Sequence, residues 1–75
     1  MVGSDSWPTE VWPSPMPDRV VPVHQELITK NGIFNLENTV FDSLIQDGVS
    51  EFLFVLTPIP FKGGTGSPAK PLAIR

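Results

Sequence analysis

The sequence has no cysteine and a single histidine, His24. Without cysteine there is no disulfide and no thiolate zinc site. One histidine also excludes a closed structural zinc site of the usual Cys/His type. Basic residues are few: Arg19, Lys30, Lys62, Lys70 and Arg75 stand singly, and the net charge is −3. A nucleic-acid footprint needs Lys and Arg clustered on one face, so that class of partner is excluded. No apolar run approaches the roughly 20 residues of a membrane helix. The opening MVGSDSWPTEV carries neither a basic n-region nor an apolar h-region, so no secretory leader and a soluble cytoplasmic protein are the expectation.

Length restricts the rest. With 75 residues the chain forms at most one small domain. A domain of about 60 residues buries only roughly 60% of the surface that its unfolded chain exposes. Folds of this size lean on a disulfide, a metal or a partner, and the first is excluded here. A hydrophobic share of 40% is more apolar surface than a small monomer easily hides, which points to a partner.

Five of the nine prolines fall in the first 22 residues: Pro8, Pro13, Pro15, Pro17 and Pro22. Proline lacks a donor and restricts the residue before it, so residues 1–22 read as an extended, turn-rich arm. Trp7 and Trp12 within it suggest an arm packed on something rather than a free tail. After Pro22, His24 to Lys30 reads as a short helix, with Gly32 as a left-handed stop. Ile33 to Leu36 is a brief β-type run. Thr39 and Asp42 form a capping-box pattern ahead of a second helix that ends at Gly48. Glu51 to Thr57 is continuously apolar between its ends, the pattern of a strand covered on both faces. A glycine loop, Lys62 to Pro68, and a final strand over Ala69 to Ile74 complete the order.

Few residues carry chemistry. His24 and Glu37, thirteen positions apart, could meet if the turn at Asn31-Gly32 runs the strand back beside the helix. Imidazole nitrogen and carboxylate oxygen suit Zn²⁺ or Mn²⁺. By pattern alone, a lone histidine at a helix start is more often solvated or bonded to a neighbouring carboxylate such as Glu26. Two ligands also fall short of the three that a catalytic metal normally takes from protein. The run Gly63-Gly64-Thr65-Gly66-Ser67 is no phosphate cradle, because Pro68 and a strand follow it instead of a helix N-terminus. Ser67 has no second histidine to serve as its base. Asp5 and Glu10 read as exposed acidic residues of the arm, with nothing to hold a catalytic carboxylate pair.

Taken in order, SDSWPTEVWPSP, the His24-to-Glu37 stretch with its LEN, EFLFVLTPIPFKG, and GTGSP leading into PLAI resemble a known family. They resemble the C-terminal portion of the cyclase-like metal-dependent hydrolases, which include bacterial kynurenine formamidase (arylformamidase) and isatin hydrolase. The resemblance runs from about Gly3 to Arg75. It implies a swivelling β/β/α fold and hydrolysis of amide or lactam-like bonds by metal-activated water. In the formamidases the residues matching His24 and Glu37 are metal ligands; in single-metal members the matching pair shapes the pocket. The metal implied is zinc or manganese.

The family's His-x-Gly-Thr-His-x-Asp motif, which supplies the other ligands and the catalytic histidine, is absent from this sequence. The resemblance therefore assigns no catalytic residue to this chain. The expectation is an α/β chain: the C-terminal part of a swivelling β/β/α domain, with a Pro/Trp-rich arm over 1–22 and a helix-strand-helix-strand-loop-strand piece over 23–75. Two short helices and about three strands are expected. The chain reads as a truncated frame, an expressed fragment or one half of a split enzyme. Its partner would be a complementary N-terminal hydrolase portion or further copies of itself, and metal binding would appear only with the complement. The alternative is a non-catalytic interaction module whose apolar strand adds to another sheet.

Overall fold

The computed structural model describes residues 1–75. It has mixed helix and strand content, with two short α-helices, a π-helical segment and four short strands in two separate sheets. The chain divides into two compact units, Met1–Phe41 and Asp42–Arg75. The division falls inside the 23–75 stretch that the sequence suggests as one piece, and residues 1–22 share a unit with residues 23–41.

In the first unit, β1 (Val2–Gly3) pairs in parallel with β2 (Asn35–Leu36), Val2 opposite Asn35 and Gly3 opposite Leu36. The ladder continues beyond the strands: Ser4 N–H donates to the Leu36 carbonyl at 2.9 Å, and Thr39 N–H to the Ser4 carbonyl at 2.9 Å. These bonds run the start of the Pro-rich stretch alongside the segment that carries Glu37. The Trp7-Pro8 and Trp12-Pro13 bonds, which bracket Glu10, are cis.

Helix α1 (Pro22–His24) begins with proline at its first position, where the missing N–H would have no intrahelical partner. It runs directly into a π-helical segment, Gln25–Lys30. The expected short helix is there, with a wider turn over its second part. It stops at Gly32, whose φ of +61° requires the freedom of glycine and whose N–H donates to the Ile28 carbonyl at 3.0 Å. The capping box expected at Thr39 is not made: the Thr39 hydroxyl is buried and has no hydrogen-bond partner.

In the second unit, α2 (Asp42–Gln46) ends in a Schellman motif. Gly48, at φ +64°, donates to the Ile45 carbonyl and Val49 to the Leu44 carbonyl. Strand β3 (Leu53–Val55) pairs antiparallel with β4 (Leu72–Ile74), and a bridge between Pro58 and Ala69 extends the ribbon. Ser67 serves the loop between them, accepting the Ile59 N–H at 3.0 Å and donating to the Pro68 carbonyl at 2.9 Å.

A Cβ at Gly64 would lie 2.8 Å from the Phe61 Cβ, while one at Gly66 would meet nothing within 4 Å. The Phe61 Cβ is fixed to its backbone and cannot swing away. Gly64→Ala should therefore break the bond from the residue 64 N–H to the Phe61 carbonyl, at a cost of about 1–3 kcal/mol. Amide exchange at residue 64 checks this: about tenfold faster or more in Gly64→Ala, and unchanged in Gly66→Ala.

The continuous apolar run forms β3, and 75 residues do not supply the layers that such a strand needs on both faces: Leu53 is 63% exposed and Phe54 40%. A run of this kind records what a strand is built to lie between, and the layers it needs are not supplied by a two-stranded ribbon. No hydrophobic side chain of the chain is buried. A folded monomer of 8.2 kDa exposes about 4,500 Å², whereas this chain exposes 6150 Å².

Candidate metal centre

The one buried residue of the chain is an acid, Glu10, with 7% of its surface exposed. Helix α1 explains why it is there. The residue before the helix, Val21, has no side chain able to cap it, so the first-turn N–H groups need an outside acceptor. Glu10 Oε2 is that acceptor, taking the Val23 N–H at 3.1 Å and the His24 N–H at 3.2 Å. Its other oxygen, Oε1, lies 2.5 Å from His24 Nδ1. Burial alone would raise the Glu10 pKa. The backbone N–H and the imidazole of His24 outweigh it and hold the carboxyl below its ordinary value.

Glu37 follows β2 directly and is reached from the other side of the ring. Its Oε1 lies 3.6 Å from His24 Nε2. The same oxygen accepts the Thr9 N–H at 2.8 Å, and the Asn35 amide at 3.3 Å. The Thr9 hydroxyl lies 2.9 Å from it and 3.0 Å from Asn35 Oδ1, and its single proton can serve one of the two at a time. Thr9 therefore ties Glu37 to the residue next to Glu10. The strand pairing of β1 with β2 brings the two loops into register for this.

One ligand atom each from Glu10, His24 and Glu37 lie within 4.8 Å of one another, so the three could hold a metal ion. The donor set fits that chemistry. Two carboxylates converging on one imidazole repel each other, and a divalent cation or a proton is what relieves the repulsion. Nitrogen and oxygen donors together suit several divalent cations.

The structure brings the sequence-suggested pair, His24 and Glu37, into one cluster. Glu26 takes other partners, Arg19 and Lys30. Glu10 is the residue that sequence reasoning passed over as an exposed acid of the arm. Its position between two Trp-Pro pairs, in a stretch too aromatic for a free tail, is the signal that could have marked it. Comparison of the chain with family models, with curated proteins and with solved structures finds no match.

Proposed function

We propose that this chain is the C-terminal part of a cyclase-type, metal-dependent amide hydrolase, the last portion of a swivelling β/β/α domain. It contributes His24 and Glu37 to a divalent-metal site and needs another polypeptide to complete that site. The observation that carries this reading is the convergence of His24 Nε2 and Glu37 Oε1 to 3.6 Å, with Glu10 packed behind the ring. A zinc or manganese ion held there supplies Lewis acidity, polarising a carbonyl and easing the deprotonation of water. The chain's own residues orient the donors: Glu10 braces His24, and Thr9 with Asn35 braces Glu37.

The missing ligands and the catalytic histidine come from a complementary N-terminal portion, or from an assembly of several chains, in the cytoplasm. A complementary chain carrying His-x-Gly-Thr-His-x-Asp tests this. Mixed with it in Mn²⁺ or Zn²⁺, the wild-type chain should restore hydrolysis of an aryl formamide, and His24→Ala should not. Hydrolysis that survives His24→Ala, or none with either metal, would contradict the proposal.

A second reading, a non-catalytic interaction module, draws on the exposure of Leu53, Phe54, Leu72 and Ile74 on the β3–β4 ribbon. On that reading the ribbon adds to a partner's sheet, and His24→Ala leaves partner binding unchanged.

A further inference from the structure

We infer that Glu10 is the positioning residue of this centre: it fixes the His24 ring with the proton on Nδ1 and the Nε2 lone pair turned toward Glu37. The argument starts from what each Glu10 oxygen can do. Oε2 already accepts two backbone N–H groups, from Val23 and His24, which favours the ionised form and keeps the carboxylate from turning. An ionised carboxylate only accepts hydrogen bonds. With Oε1 lying 2.5 Å from Nδ1, the ring nitrogen must be the donor.

A neutral ring protonated on Nδ1 carries its lone pair on Nε2. That lone pair faces Glu37 Oε1 across 3.6 Å, so two acceptors confront each other with no proton between them. A cation placed there satisfies both. Glu10 Oε1 takes the Nδ1 proton, on the side of the ring opposite Glu37, so its part is to aim the histidine. Carboxylates behind metal-binding histidines act in this way, and their loss typically weakens metal affinity by about 10–100-fold. The use made of the Nε2 lone pair rests on the metal-centre reading above; the state of the ring does not.

His24 is the only histidine, so its ring nitrogens can be read without assignment ambiguity. The test is a long-range ¹H–¹⁵N correlation spectrum of the metal-free chain above about pH 8, where an ordinary histidine is neutral. The wild-type ring should show the pattern of the Nδ1–H form. Glu10→Gln should reverse it. The backbone donors keep the amide oxygen at the Oε2 position, the amide NH₂ then faces Nδ1, and the ring proton moves to Nε2. With the complementary portion present, the same variant should bind Mn²⁺ or Zn²⁺ about 10–100-fold more weakly.

A proton on Nε2 in the wild-type ring, whether neutral or charged, overturns the inference. So does a Glu10→Gln ring identical to wild type. A wild-type ring held as Nδ1–H, with neither metal taken up even when the complementary portion is present, contradicts the metal centre and supports the Glu10 assignment.

Discussion

Glu10→Ala is expected to be the most damaging single substitution in the Met1–Phe41 unit, costing about 2–4 kcal/mol. Hydrogen bonds to a charged group contribute about 1.5–3 kcal/mol each, and truncation removes three at once, with water recovering part of the loss. The Val23 and His24 N–H groups lose their acceptor, and the His24 ring loses its support. Trp7 and Trp12 flank Glu10, so tryptophan fluorescence during urea unfolding reports on this unit. Asp5→Ala, at an exposed carboxylate, is the control and should stay within about 0.5 kcal/mol of wild type. A Glu10→Ala midpoint equal to that of Asp5→Ala would remove the physical basis of the site.

The same contact makes the unit sensitive to acid. The Glu10 pKa is lowered on folding from an ordinary value of 4.5. A lowered carboxyl adds stability that is fully present above the unfolded value and is lost as pH falls through the folded one. The urea midpoint of the wild-type unit should therefore drop on acidification below pH 4.5. In Glu10→Gln this component of the pH dependence should be missing. A midpoint with the same acid dependence in both proteins would assign the effect to other carboxylates.

The second large effect is expected on the β3–β4 ribbon. Leu53 and Ile74 lie opposite each other and are 63% and 52% exposed, so neither supports much of its own unit. If another chain covers them, Leu53→Lys removes about 1.5–3 kcal/mol of side-chain burial and adds the cost of desolvating a charge. The complex should weaken by at least about tenfold. Light scattering over a concentration series reads this directly. Wild type should run above 8.2 kDa, in multiples that fall on dilution, and Leu53→Lys should shift toward 8.2 kDa. A wild-type chain at 8.2 kDa throughout, alone and with the complementary portion, would contradict a covered ribbon.

The features legible in the sequence are those set by short-range chemistry. Pro22 at a helix start, and Gly32 and Gly48 at helix ends, follow from φ preference and missing donors, and the structure has all three. Strands of two residues, such as β1 and β2, carry no periodicity, and nothing local announces that Val2 should lie beside Asn35. The fate of the Thr39 hydroxyl was misread because a capping pattern is a local rule that the turn into α2 did not follow.

The site divides in the same way. His24 and Glu37 stand out as a lone imidazole and a carboxylate on adjacent elements. The burial of Glu10 depends on the path of the whole segment between Val11 and Val21, which sequence pattern does not determine. The covering of β3 is the opposite case. The apolar run states a need for covering layers, and neither the Phe52-to-Leu56 run nor its β4 partner supplies them.

The central claim is that His24 and Glu37 are donors to one divalent cation. Line broadening by substoichiometric Mn²⁺ in the ¹H–¹⁵N spectrum of the labelled chain, with the unlabelled complementary portion present, tests it most directly, because it detects even weak binding and locates it. The account predicts that resonances of His24, Glu37 and Thr9 broaden first in wild type, and that His24→Ala weakens the effect at Glu37. Broadening confined to other acidic residues, or equal at Glu37 with and without the His24 side chain, would contradict it.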